Sequence, residues 1–379
     1  MSGKSARVAV VSDAVLPWHR GGKELRYQQL LRRWPDEDLD VTVYTMEWWD
    51  DAPPPGVIAY RAISKKYKMY RGQRRSIRQA LMFAISTFKL LRYRYDVIEA
   101  DHMPYLQLFP LRIVATIRRV PLVVTWHEVW GRDYWREYLG PAGVIGAFVE
   151  WLASRLPSKI AVVSEGSAQR LRAMNVPDSK IVVVPNALDT QELESVIPST
   201  TRFDFISVGR LMAHKRVDLI LEALTDVPGC TLGIVGTGPE RDRLQQKAED
   251  LSLMSRVTFL GDIENHDELL SLVKAASVFV LPSEREGFGI AVAESLGLGT
   301  PVITSDHSDN EAQKLVNDSS TGSVVPAGNA LEVANAMNYW CSNPPAKSAI
   351  ATEFWRQHGE LSWDAVAHQY ANVLKESLT

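Results

Sequence analysis

An α/β fold of two Rossmann-like halves is predicted by three observations. Apolar runs of strand length recur along the chain and alternate with helix-length segments, the pattern of βαβ units around a buried parallel sheet. A polar stretch without periodicity, Gln191 to Arg202, reads as a linker near the middle. The alternation then begins again, so residues 1–195 and 196–361 read as two halves, each with its own sheet.

The first half carries its runs at Val8 to Val11, Val41 to Tyr44, Val97 to Ala100, Leu122 to Thr125, Ile160 to Val163 and Ile181 to Val184. The second carries Phe205 to Val208, Leu232 to Val235, Val257 to Leu260, Val278 to Leu281, Val302 to Thr304 and Ser323 to Val325. Ser362 to Leu378 closes the chain with a helical pattern. At 379 residues, 46% hydrophobic and 23% charged, there is material for a sizeable core in each half. A formal charge of −3 makes no case for nucleic acid, and none is expected as a partner. Cys230 and Cys341 alone imply neither a disulfide framework nor a zinc site, which fits a reducing compartment. The start, MSGKSARVAVVSD, enters a strand without a signal-peptide layout, and charge-free stretches fall short of the roughly 20 residues of a membrane span. A cytoplasmic chain, soluble or bound only at a membrane surface, is expected.

Strand one ends at Asp13, and Gly21-Gly22 precedes a helix from about Lys23, leaving N–H groups open to an anion. Asp36-Glu37-Asp38 and Asp38-Leu39-Asp40 fit a DxD metal pattern but fall in a solvated turn, so no metal is expected. From Arg61 to Tyr95 there are eleven Lys and Arg and no Asp or Glu, with Ile77, Leu81, Ile85 and Phe88 at helical spacing. Such a stretch suits either a core helix with a basic outer face or a helix lying on an anionic membrane. Residues 61–95 are therefore a candidate for peripheral membrane contact.

Strand Leu122 to Thr125 delivers Trp126-His127-Glu128. In the second half Gly209-Arg210 ends a strand and His214-Lys215-Arg216 begins the next helix, letting a planar fork and a point charge converge on one diphosphate. Gly236-Thr237-Gly238-Pro239 lacks the third glycine of a dinucleotide fingerprint, with Arg241 in its place. Leu281 to Val302 reads strand, polar turn, helix, strand, with Glu284, Glu286 and Glu294 around Gly287 and Gly289. Glu286 in the turn and Glu294 two turns into a helix from about Phe288 lie roughly 12 Å apart along the axis. That exceeds the about 5 to 9.5 Å of a pair flanking one glycosidic bond. It suits two hydroxyl-rich ends of one ligand with an anion between them, the layout of a nucleotide sugar.

Glu286-Gly287-Phe288-Gly289 followed by Glu294 resembles the signature of the retaining GT-B glycosyltransferases of family 4, the glycosyl transferases group 1. The resemblance covers nearly the whole chain and is densest after residue 205. It implies two Rossmann-like domains with a cleft between them, and a final helix, 362–379, packed back on the first. It implies that Glu286 contacts the donor sugar, Glu294 the ribose, and Arg210 with Lys215 the donor phosphates. By the same resemblance Gly21-Gly22 approaches the phosphates and acceptor, and His127 faces the sugar. Gly209, Gly236 and the loop Phe259 to Ile263 frame the nucleotide, with Gly287, Phe288 and Gly289 beside it. Departures stand at Glu128, Ala187, Ser295, Gly297 and His307 to Asn310.

The activity implied is transfer, with retention, of a hexose-like sugar from a nucleoside-diphosphate sugar to a saccharide or lipid-linked acceptor, without metal or other cofactor. An inverting or epimerase-like enzyme of the same architecture would differ in its product anomer. A non-catalytic sugar-nucleotide or polysaccharide-binding module would not turn over donor. A dehydrogenase is disfavoured, because no glycine fingerprint follows strand one.

Overall fold

A computed structural model of the chain describes residues 5–19, 21–50, 52–53, 58–71, 74–316 and 319–378. The chain divides into two compact units, one running to Asn186 and taking up the chain again from Trp363, the other Ala187–Ser362.

The first unit holds β1 (Ala6–Val11), β2 (Leu39–Met46), β3 (Ala59–Ser64), the ribbon strands β4 (Tyr70–Arg71) and β5 (Arg74–Arg75), β6 (Val97–Asp101), β7 (Leu122–Trp126), β8 (Lys159–Val162) and β9 (Ile181–Val183). Seven form a parallel sheet ordered β3-β2-β1-β6-β7-β8-β9, with Val8 level with Val41 on one side and Val97 on the other. The second unit holds β10 (Phe205–Val208), β11 (Leu232–Val235), β12 (Val257–Gly261), β13 (Val278–Leu281), β14 (Val302–Ser305) and β15 (Gly322–Val325), ordered β12-β11-β10-β13-β14-β15. Both sheets are covered by helices, which is why their central strands are buried apolar runs. β3 breaks that pattern: its sequence AYRAIS lies on the sheet edge with its first four residues partly exposed, so no apolar run announces it.

One expectation is corrected, and one of two readings left open falls. Residues 191–202 do not form one unstructured linker, because Thr190–Ser195 is a helix capped by Asp189, whose side chain accepts from Glu192 N at 3.1 Å. Leu193 of that helix is buried beside Gly297, so the second unit starts at Ala187 rather than near 195. Nor do Ile77, Leu81, Ile85 and Phe88 form a core stripe. Helix Ile77–Ser86 and the turn Thr87–Arg92 leave them 75%, 49%, 54% and 40% exposed, while Ala80, Phe83 and Ala84 face inward.

The last helix, Trp363–Glu376, belongs to the first unit and packs on helix Gly22–Arg33. Its Tyr370 hydroxyl lies 2.9 Å from Glu99 Oε1 and 2.7 Å from the Thr125 hydroxyl inside the sheet. Glu150 anchors another pair of helices, Gly131–Leu139 and Gly143–Ala153. Its carboxylate is fully buried and accepts from Tyr105 Oη at 2.9 Å, Trp130 N at 2.8 Å, Gly131 N at 2.9 Å and Trp135 Nε1 at 2.9 Å. Among the described residues no helix is long and apolar enough to cross a membrane.

Candidate functional site

In each sheet the strand order reverses at one point, between β1 and β6 and between β10 and β13. Open α/β sheets take ligands beyond the carboxyl ends of the strands at such a point.

In the second unit Gly209 N donates to Val235 O at 3.0 Å, drawing the ends of β10 and β11 together. Gly236 follows β11 at φ 129°, where a Cβ would lie 2.0 Å from the Gly209 carbonyl oxygen, so only glycine fits. Arg210 is exposed on the same turn. A short 3-10 turn, Ala213–Lys215, comes next, so the helix starts at Val217 and not at His214. Lys215 Nζ donates to both carboxylate oxygens of Glu286, at 2.6 and 2.8 Å. An ammonium carries three N–H donors, so one remains for a ligand.

Glu286 is held from both sides. The loop after β13 is laced to the loop after β10, with Glu284 N and Ser283 Oγ donating to His214 O at 2.7 and 3.1 Å. Arg216 pairs with Glu284, and with Asp218 at 3.2 Å. On the other side Glu286 N donates to Asp309 O at 3.1 Å and Glu286 O accepts from Glu311 N at 3.0 Å. Buried Asn310 braces that loop on the end of β14, its Nδ2 donating to Thr304 Oγ1 at 3.0 Å and Ser305 O at 2.8 Å. The segment His307 to Asn310, where the sequence departs from the family pattern, thus fixes the backbone of Glu286. Burial, with Lys215 and Arg285 nearby, pushes the His214 imidazole down to about 4.

Helix Ile290–Gly297 begins two residues later than expected. Gly289 precedes it at φ 91°, and a Cβ there would meet Ala312 Cβ at 2.4 Å. Phe288 packs inward and Gly287 is half-buried. The first-turn N–H groups of this helix have no intrahelical acceptor. Glu294, one turn further along, lies 3.2 Å from Nε2 of His266, which opens helix His266–Ala275. Half-buried Ile263 lies three residues before His266, in the loop after β12.

In the first unit β1 and β6 deliver Asp13 and Asp101, both fully buried. Lys23 Nζ bridges them, 3.2 Å from Asp13 Oδ1 and 2.9 Å from Asp101 Oδ2. Arg75 and Gln79 Nε2, the latter at 2.9 Å, also reach Asp13. Burial alone would raise both carboxyls. Arg75 and Lys23 at Asp13, and Lys23 with His102 at Asp101, outweigh it and hold them below the usual range. Burial opposes the Lys23 charge, but Asp101, Asp13 and Glu24 hold its ammonium above its ordinary value. The helix that starts at Gly22, next to extended Gly21, is thereby fastened to two strand ends. His127 follows β7 with Nε2 3.9 Å from Asp101 Oδ1, beyond hydrogen-bond reach. Burial pushes its imidazole down to about 3, against the pull of Asp101 and with help from His102.

Lys23, Asp101 and Asn310 escaped the sequence reading. An acid directly after an apolar strand was the available signal for Asp101. Lys23 acts through Asp101, 78 residues away, as well as Asp13, and Asn310 through the folded turn that returns it to Thr304 and Ser305. Among the described residues no group of three or more His, Cys, Asp or Glu is arranged to hold a metal ion.

Two family models match the chain consecutively, Glycosyltransferase Family 4 over residues 20–192 and Glycosyl transferases group 1 over residues 189–354. An uncharacterized glycosyltransferase of Methanocaldococcus jannaschii is 26% identical over 301 residues, 74% of this chain and 75% of that protein. Among solved structures, sucrose-phosphate synthase from Thermosynechococcus elongatus matches with a TM-score of 0.82 at 20% identity, covering 98% of each chain. Anabaena HepE in complex with UDP and glucose matches with a TM-score of 0.75 at 19% identity, covering 98% of this chain and 99% of that one. With both units matched in sequence and the α/β sheets matched in structure, the chain belongs to the family 4 glycosyltransferases of GT-B fold.

Proposed function

We propose that this glycosyltransferase moves a hexose-like sugar from a nucleoside diphosphate to a saccharide or lipid-linked acceptor, with retention and without a metal. The observation that carries the reading is the Lys215–Glu286 contact at the strand reversal of the second unit, with Arg210 on the adjoining turn. A diphosphate gains negative charge as its bond to the anomeric carbon breaks. Cations fixed beforehand stabilise that charge more than they stabilise the bound donor. Arg210 and the third N–H of Lys215 take the phosphate oxygens, a role a metal would otherwise fill. Glu286, oriented by Lys215, accepts from sugar hydroxyls. Glu294 holds the ribose, and the main chain at Gly209, Gly236 and Ile263 borders the nucleotide. His127, neutral near pH 7, is assigned to orienting the sugar, and Gly21-Gly22 to the phosphates and acceptor.

In this reading the anomeric carbon bonds to the acceptor oxygen on the face the phosphate leaves. The acceptor proton passes to the departing phosphate oxygen, so no carboxylate nucleophile is needed. UDP bound to HepE supports a nucleotide donor. The test is a panel of nucleotide sugars scored for slow donor hydrolysis, followed by the anomer of the transfer product by NMR. Turnover of one donor with retained configuration is expected. An inverted product would refute retention, and a failure to turn over any donor would refute the donor assignment.

A further inference from the structure

Among the described residues, ten of the sixteen large apolar side chains left exposed lie between Ile77 and Trp151. They belong to three segments of the first unit, the helix Ile77–Ser86 with its extension Thr87–Arg92, the helix Leu108–Arg118 and the helix Gly143–Ala153. The crossovers β3 to β6, β6 to β7 and β7 to β8 all run the same way across the sheet, and right-handed connections place their helices on one face. Helix Gly22–Arg33, whose crossover runs the other way, takes the opposite face. Helices Ile77–Ser86 and Leu108–Arg118 pack on each other, and Ile77–Ser86 and Gly143–Ala153 both pack on the turn Tyr105–Gln107.

Helix Gly143–Ala153 buries Gly143, Gly146, Glu150 and Ala153. It leaves Val144, Ile145, Phe148 and Trp151 exposed by 55%, 67%, 56% and 39%. Ile113 and Ile117 on the neighbouring helix are 50% and 61% exposed. A soluble monomer rarely gathers so many exposed apolar side chains on adjoining segments. Charge decides what covers it. Arg78, Lys89, Arg92, Arg112 and Arg119 are exposed on the same segments and their ends. From Arg61 to Ala153 there are sixteen Lys and Arg against seven Asp and Glu, and of the seven Asp96 pairs with Arg7, Glu99, Asp101 and Glu150 are buried, and Asp133 and Glu137 are exposed on the helix Gly131–Leu139. A second copy of the chain would bring like charges together, whereas an anionic surface complements them.

We propose that the outer side of this helical layer docks the protein on an anionic lipid bilayer. Phe148 and Trp151 enter the acyl boundary, and the flanking Arg and Lys meet the headgroups. Taken with the glycosyl-transfer reading, the acceptor is then a molecule held at a membrane surface. Docking itself does not depend on that reading.

The full chain is sedimented with phosphatidylcholine vesicles, with and without phosphatidylglycerol, at low and high salt. Binding at least about tenfold stronger to the anionic vesicles, and lost at high salt, is expected. Phe148→Glu and Ile145→Glu are each expected to weaken it at least about tenfold, and Arg78→Glu about fivefold or more. Donor hydrolysis and thermal midpoint should not change, since these side chains are exposed. Absent or charge-independent binding overturns the proposal, as does full binding by Phe148→Glu. A dimer in solution that Phe148→Glu disperses would overturn it in favour of a second copy. Vesicle binding without turnover of any donor would refute the transfer reading and leave the docking surface standing.

Discussion

Lys215 and Glu286 are 71 residues apart in sequence and form one functional pair, Nζ to Oε1 at 2.6 Å. Each fixes the other, so each single loss also releases its partner. Lys215→Ala and Glu286→Ala are each expected to lower kcat at least about 10²-fold, the scale of losing one transition-state donor. The double variant is expected to lose far less than the product of the two, because contacting residues are not additive. Steady-state kinetics with the preferred donor checks both, and near-normal turnover in either single variant would remove the pair from the chemistry. Glu294→Ala should differ in kind. A group gripping the ribose binds ground and transition states alike, so KM for the donor is expected to rise while kcat changes little.

At the scale of elements, the helix Trp363–Glu376 is keyed to the first sheet through buried Glu99. The Tyr27 and Tyr370 hydroxyls at 2.9 Å and the Thr125 hydroxyl at 2.7 Å surround its Oε1. Burial pushes this carboxyl up to about 7, only partly offset by those hydroxyls. Its folded pKa lies above its ordinary 4.5, so between those values the folded chain keeps a proton that the unfolded chain releases. The stability this group contributes is therefore full below about pH 4.5 and lost as pH rises through 7. Thermal midpoints of the wild type and Glu99→Gln across that window are expected to converge at the acid end and diverge toward pH 8, in favour of the amide. Equal pH slopes would rule out titration of Glu99 there. Tyr370→Phe is expected to cost about 1–3 kcal/mol by leaving part of that cluster unpaired, measured by urea denaturation.

For the whole molecule, strands were legible wherever both faces of a strand are buried, as in Leu232–Val235 and Val278–Leu281, because nothing polar interrupts such a run. Edge strand β3 was not, and neither was the unit boundary, since Leu193 is the single apolar residue of the helix Thr190–Ser195. In the candidate site, glycines and charges on the loops that follow apolar strands marked Arg210, Lys215, Glu286 and Gly289 as candidates. The clamp of Lys23 on Asp13 and Asp101 depends on two strands meeting in three dimensions and left no local trace, whereas the brace of Asn310 reaches back only to Thr304 and Ser305 but shows itself only once that turn is folded. The two cations at the strand reversal also carry a prediction for the enzyme as a whole: activity in excess chelator should match that in its absence. A strict requirement for Mg²⁺ or Mn²⁺ in the same assay would overturn the metal-free reading. Elsewhere the buried Glu150 carboxylate takes four hydrogen bonds, from Tyr105, Trp130, Gly131 and Trp135. Replacing one of its oxygens with an amide sets N–H against N–H inside a fully buried cluster. Glu150→Gln is thus a candidate heat-sensitive allele, able to yield folded enzyme in a cool culture and to lose it on warming, which would let this transferase be switched off in living cells without touching its chemistry.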